Sequence, residues 1–481
     1  MKKLFAIILG TAVLFTSCKK WVSGHEVSPN APGEANPALL NSACQLAVFA
    51  TYGGSLSRNT SMWAQHSEGV SNQSLDQGAY IIDEGDIENE WGVIYQGGLK
   101  NMRLLEKAAG DGNPAYQGMA KVMSALMLGV ATDMWGDIPW TEALDGEAGN
   151  YSAKYDSQES IIAAIQTMLD EAVVLLDKPD NALAPGSDDF IYGGDAGKWK
   201  ALAYAIKARY AMRISNRDAN WHTKALDYVA KAKAAGFTSS AADANCIFGT
   251  NANEYNQWYA FTQVERSGYM LAGAKLVDVM NSINDPRIGY YFTTNDSGQY
   301  KGAALGSQAV KNLSDFGSYF ASQTSVTPLA TYVELLFIEA EAQFAAGNKG
   351  AAATAHNDAI KAHVNLVTGS PAPAAYVTAQ ASETAGSITL EKILTHKYVS
   401  GFSMIEPYND WRRTGVPSLS PSPLALISGI ARRYPYSLDE RLYNSKFPGA
   451  IGVNDLADNP SCGNRRAGTK EPTSISRRPA E

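Results

Sequence analysis

Four cysteines in 481 residues are too few to staple a fold, so stability has to come from a buried core. Cys18, Cys44, Cys246 and Cys462 show no zinc-type spacing. Charged residues make up only 18% against 45% apolar, a balance that excludes a disordered chain and supports a sizeable core. Positive charge is also short. Lys and Arg number 40 against 48 Asp and Glu, a net charge of -8, and losing Lys2 and Lys3 with a leader would make it -8 - 2 = -10. Such a chain is a poor partner for nucleic acid or an anionic membrane surface, because phosphate binding needs clustered cations. Catalytic signatures are missing as well: there is no G-x-S-x-G, H-E-x-x-H or G-x-G-x-x-G. Gly193 to Trp199 falls one residue short of a phosphate loop and has Trp199 where a magnesium-holding hydroxyl belongs. No catalytic residue, cofactor or metal is therefore expected, although calcium in a loop and a glycosidase-type carboxylate pair are both left open by sequence alone.

Long apolar runs occur once, at the start. Met1-Lys2-Lys3 precedes an apolar stretch from Leu4 to Phe15, then Thr16-Ser17-Cys18. A cationic start, a short apolar core and small residues before a cut make a secretory leader, too short to span a bilayer, which takes roughly 20 apolar residues. Cysteine directly after the small residues has the form of a bacterial lipobox, in which Cys18 is acylated. Two or more acyl chains anchor firmly. With Cys18 so used, the other three cysteines permit at most one internal disulfide. We read residues 1–17 as leader, 18–37 as a polar tether rich in Pro, Gly and Asn, 38–447 as one domain and 448–481 as a polar tail.

Between tether and tail the apolar residues recur every three or four positions. Ile161, Ile165, Leu169, Ala172 and Leu176 make one stripe behind Asp156 and Glu159, which are spaced like a capping box. Leu202, Ile206, Tyr210 and Ile214 make a second, and Val333, Leu336, Phe337, Ala340 and Phe344 a third. Weaker helical patterns cover 38–50, 90–109, 115–134, 220–235, 268–281, 349–366 and 388–400. Gly347-Asn348 breaks the third helix before an Ala-rich one, and Arg217-Asp218 does the same after the second, as in tetratricopeptide-type hairpins with a period of about 34 residues. The predicted fold class is mainly α: helical hairpins as scaffold, with an irregular, loop-rich half spread over 51–88, 236–267, 282–328 and 401–460.

Aromatics in those irregular stretches carry the functional expectation. One group is Trp63, Gln65, His66, Tyr80 and Trp91; the other is Tyr255, Asn256, Trp258, Tyr259 and Arg266. Sugar rings stack their C–H faces on aromatic rings, and amides and guanidinium groups take up the hydroxyls. These ten residues are the predicted ligand contacts.

Several segments in order then resemble a known family: the lipobox Phe15-Thr16-Ser17-Cys18, Ser28-Pro29-Asn30, Met134 to Ala143 (MWGDIPWTEA), and Trp199 with Lys207, Arg209 and Arg213. Asp285-Pro286-Arg287, the Glu334 to Ala342 helix, Trp411-Arg412-Arg413-Thr414-Gly415 and Arg432-Arg433-Tyr434-Pro435 follow. This set resembles the SusD/RagB-like outer-membrane lipoproteins, in the SusD-like branch, over about residues 18–447. The resemblance implies helix pairs as scaffold, binding without catalysis, and attachment to the outer membrane by lipid with the fold facing outward. It also implies an oligosaccharide as ligand and a SusC-like TonB-dependent transporter as partner. Peptide capture on the same fold, or a lipid-anchored glycosidase, are the alternatives. We read Gly136 to Pro139 as a turn, and Arg412 and Arg413 as loop anchors that bind carboxylates. The tail departs from the family pattern after Asn444 and Phe447, through a divergent end or a shifted reading frame.

Overall fold

The structure is a computed structural model that describes residues 36–308, 311–452 and 455–458. Cys18, the leader, most of the tether and most of the tail lie outside the described residues.

The helices that build the scaffold and the site are α1 Pro37–Gly53, α2 Ser55–Trp63, α3 Glu88–Gly92, α4 Lys100–Ala109, α5 Pro114–Trp135, α6 Gln158–Leu176, α7 Ala196–Arg213 and α8 Trp221–Ala234. They continue with α9 Tyr332–Ala345, α10 Lys349–Thr368, α11 Leu390–Ser400, α12 Glu406–Thr414 and α13 Leu438–Tyr443. Strands are short and antiparallel in pairs: β1 Ser67–Gly69 with β5 Met270–Ala272, β2 Ile138–Pro139 with β3 Tyr155–Asp156, and β4 Ala244–Cys246 with β6 Thr327–Ala330.

Successive helices pack as pairs, α5 on α6, α7 on α8 and α9 on α10, with α7 also against α6 and α8 against α9. The mainly α class and the two hairpins expected from sequence are present. α5 is buried on nearly every side, as its mostly apolar composition favours. Gly129 lets α7 approach: a Cβ there would meet the Tyr210 hydroxyl at 1.6 Å. In α9 and α10, Ala340, Ala353, Ala355 and Ala359 are buried together, and these small side chains let the two helices sit close.

Some local expectations change. The cap of α6 is Ser157, whose Oγ accepts from Ser160 N at 3.2 Å. Asp156 turns away to accept from Thr141 N at 2.7 Å, tying β3 to the loop after β2. The segment expected to be helical from 268 begins instead as β5, and the helix starts at Ala274. Gly273 between them lies against the Gln65 carbonyl, where a Cβ would come within 2.6 Å. The stretches read as irregular contain α2, α12 and α13, helices of nine, nine and six residues, too short to repeat an apolar stripe convincingly. Cys44 and Cys246 are unpaired, buried thiols.

Charged side chains cross the helix layers in buried groups. Arg209 pairs with Glu334 at 2.6 Å, and Arg213 bridges Glu406 at 2.7 Å and Asp133 at 3.0 Å. Arg413 forks onto Glu341 and onto Asp410 at 2.9 Å, with Lys397 also 2.8 Å from Asp410. Arg413 thus anchors through carboxylates as expected. Arg412 does not: it donates to the backbone carbonyls of Asp133 and Arg432 and to Asn409, because the carboxylates nearby are already taken by Arg213 and Arg413.

Not every buried acid has a cation: Glu68, Asp189 and Asp243 are buried with neutral hydrogen-bond donors only among the described residues. Glu68 of β1 accepts from Gly306 N at 2.8 Å, and burial pushes its carboxyl up from 4.5 to about 8. A value raised on folding favours the protonated fold, so this contribution is fully present below about pH 4.5 and is lost as pH rises through about 8. Glu68→Gln, which keeps the acceptor, should therefore gain in urea midpoint over wild type at about pH 8 and match it near pH 5. An equal difference at both pH values would remove this account.

Candidate functional site

A cleft of about 680 Å³ opens between three elements. The first wall is α3 and the π-helical turn Val93–Leu99 that follows it. A π turn re-aims successive side chains, and such turns recur at functional sites. Gly92 and Gly97 line the cleft: a Cβ at Gly92 would stand in open space, so the wall there is hollowed by a missing side chain rather than by strain, while one at Gly97 would meet the Ala47 side chain of α1 at 3.7 Å.

The second wall is the loop after β2, residues 139–153. It is fastened at several points: Tyr95 Oη donates to the Pro139 carbonyl at 2.7 Å, Arg103 to the Ala143 carbonyl at 3.1 Å, and Asn444 Nδ2 to the Ala153 carbonyl at 2.9 Å. Gly136 enters this loop at φ 81°, as the turn reading requires, and Asp137 accepts from Gln158 N at 2.8 Å.

The third wall is α13. Ser437 Oγ caps it and donates to Glu88 across the cleft floor at 3.0 Å, and Asp439 N donates to the same carboxylate at 3.1 Å. Glu440 accepts from Tyr155 Oη at 2.9 Å and from Asn444 Nδ2 at 2.8 Å. Glu88 therefore latches the end of the fold to α3.

Aromatic rings flank the space. Trp91 lies on Tyr95 with ring centres 4.6 Å apart and abuts Trp135 edge-on at 5.2 Å. It is only 6% exposed, so it shows an edge to the cleft. Tyr151 and Tyr443 stand at the rim with 80% and 74% exposure. Amide groups of Asn89, Gln96, Asn150 and Asn444 complete the lining. Flat apolar faces beside adaptable hydrogen-bonding groups suit a polyhydroxylated ring better than an extended apolar ligand.

Of the ten residues expected to contact ligand, only Trp91 lines this cleft. Trp63 is wholly buried among Tyr80, Tyr408 and Tyr434, with its Nε1 donating to the Gln77 carbonyl at 2.9 Å. Gln65 donates to the Ser420 carbonyl, and Tyr80 is buried at φ 64°. His66 packs on Tyr398 at 4.2 Å, and burial lowers its imidazole to about 3, so it is neutral core. Asn256 accepts from Trp258 N at 2.8 Å and Tyr259 N at 3.0 Å, capping the turn Gln257–Tyr259. Trp258 is wholly buried against Phe316 and Phe320, with Nε1 on Ser57 Oγ at 2.9 Å. For these six the expectation of an exposed stacking or hydrogen-bonding surface is corrected: the loop-rich half has its own aromatic core, and a ring with no exposed face has none to offer.

Tyr255 and Tyr259 are half-buried and meet edge-on at 5.2 Å, and Arg266 is exposed over Tyr269 at 5.9 Å. These three remain surface residues outside the cleft lining. Sequence reasoning missed Tyr151 and Tyr443. The first sits in Gly149-Asn150-Tyr151, a turn whose Gly149 is left-handed at φ 85°, and that pattern was the available signal. The second ends a six-residue helix in a stretch read as loop.

Among the described residues no three His, Cys, Asp or Glu side chains are grouped to hold a metal ion, and no helix is long and apolar enough to cross a membrane.

Residues 29–436 match the model of a family described as SusD-like, starch-binding and associating with the outer membrane. Solved structures are similar over most of their length. A SusD/RagB family protein from Bacteroides thetaiotaomicron is 25% identical with a TM-score of 0.73, covering 90% of this chain and 100% of its own. A chitin-binding SusD homolog from Flavobacterium johnsoniae is 20% identical with a TM-score of 0.75, covering 90% and 98%. A SusD homolog from Bacteroides fragilis is 22% identical with a TM-score of 0.68, covering 85% and 94%. No curated protein matches the chain.

Proposed function

Because this chain belongs to the SusD-like family of glycan-binding outer-membrane proteins, we propose that it captures oligosaccharides in the cleft between α3, the loop after β2 and α13. In this reading Cys18 carries the lipid that holds the fold at the outer face of the outer membrane, and a SusC-like TonB-dependent transporter receives the captured glycan. The protein binds and releases its ligand chemically unchanged.

The observation that carries the reading is the pairing of cleft and rings. A space of about 680 Å³ takes several sugar units, and the Trp91 edge with the Tyr151 and Tyr443 faces offers the apolar contacts that hydroxyl-rich rings need. Glu142 itself is not suited to act as a glycosidic acid: its carboxyl is held below the ordinary range by Lys446, 2.7 Å away, whereas such an acid needs a raised value.

Isothermal titration against hexasaccharides of several linkages should find a ligand and no new reducing ends. Tyr443→Ala and Tyr151→Ala should each weaken binding by about 1–3 kcal/mol, the usual size for an aromatic anchor. A blank glycan panel together with a responsive peptide library would sink the reading.

A further inference from the structure

Five carboxylates line the cleft (Glu88, Glu142, Asp145, Asp439 and Glu440), while no described Lys, Arg or His does. The cations nearby stand at the rim and serve one side. Lys446 and Lys154 reach Glu142 at 2.7 and 3.9 Å, and Arg103 reaches Asp145 at 4.0 Å. On the α13 side the balance differs. Glu88 takes its hydrogen bonds from Ser437 and the Asp439 amide, and Glu440 from Tyr155 and Asn444, all neutral donors that leave the charge in place. Asp439 is exposed, and its side chain makes no hydrogen bond or ion pair among the described residues. Arg441, two residues on, is engaged elsewhere, on Glu84 at 2.6 Å.

We infer that the cleft selects by charge: it admits neutral oligosaccharides, favours those carrying amines, and rejects those carrying carboxylates or sulfates. The inference rests on the cleft being the glycan site. A uronate or sulfated unit laid along α13 would face three carboxylates with no counter-charge of its own to meet. A protonated amino sugar in the same place would exchange water for charge-assisted hydrogen bonds to Asp439 or Glu88. The cleft is open to solvent, so the selection is a screened, salt-dependent effect.

The test compares three hexamers on the chain from Lys19 onward, without leader or lipid, at about pH 6 and low salt (about 20 mM): an oligoglucosamine, its N-acetylated counterpart and an oligogalacturonate. Oligoglucosamine is expected to bind at least about tenfold more tightly than oligogalacturonate, with the gap narrowing at about 300 mM salt as screening shortens the reach of the field. Asp439→Asn combined with Glu88→Gln, which keeps the acceptor for Ser437, is expected to cut that ratio to about a third or less. Equal affinity for the uronate hexamer, or a ratio untouched by the double substitution, overturns the charge selection while leaving glycan capture intact. If none of the three nor any neutral hexamer binds, the functional reading fails and this inference with it.

Discussion

Replacing Arg413 by alanine is expected to lower folding stability by about 3–5 kcal/mol, the usual cost of stripping one partner from a buried ion pair. Its side chain is 4% exposed, and its guanidinium bridges Glu341 of α9 to Asp410 of its own helix α12. Burial by itself would raise the Asp410 carboxyl, but Lys397 and Arg413 together hold it down at about 2. Without Arg413, Glu341 has only Lys397 at 4.0 Å, and two carboxylates are left in the interior sharing one ammonium. The contrast is Arg441→Ala. That pair with Glu84 has its arginine side chain 42% exposed, and losing it should cost less than about 1 kcal/mol. Urea midpoints of the two variants check the difference. Equal losses would mean the buried network is not what ties α12 to the scaffold.

Trp258→Ala should be comparably damaging, by about 3–5 kcal/mol, and without effect on the cleft. The ring is wholly buried between Phe316 and Phe320, and its Nε1 anchors the 257–265 turn to Ser57 of α2. Truncation empties the centre of the aromatic core of the loop-rich half and removes that tie. Measured well below its unfolding transition, the variant should bind oligosaccharide as wild type does, whereas Tyr443→Ala should keep its stability and lose affinity. If Trp258→Ala instead stays stable and loses affinity, the ring is a ligand contact and the cleft assignment is wrong.

The split between these two tyrosine and tryptophan predictions also marks where sequence reading stops. The stripe from Ile161 to Leu176 and the Ala-rich α10 were legible because helical period is local: each residue's face depends on neighbours three and four away. The breaks at Gly347 and Arg217-Asp218 were legible for the same reason. Short helices such as α2 and α12 were not, having too few turns to repeat a pattern.

Within the candidate site only Trp91 was anticipated. Trp63 and Trp258 look no different in sequence from Tyr151 and Tyr443: each is an aromatic ring in a stretch without period. Trp63 is hidden by Tyr408 and Tyr434, and Trp258 by Phe316 and Phe320, side chains brought in from distant parts of the chain. The rim tyrosines have no such cover. The amino-acid order alone thus determined a helical, cysteine-poor scaffold of paired helices and its family resemblance, because hydrophobic periodicity and turn chemistry act between near neighbours. Which rings and carboxylates meet solvent was decided only in three dimensions, because burial is a property of what packs against a residue and not of the residue itself.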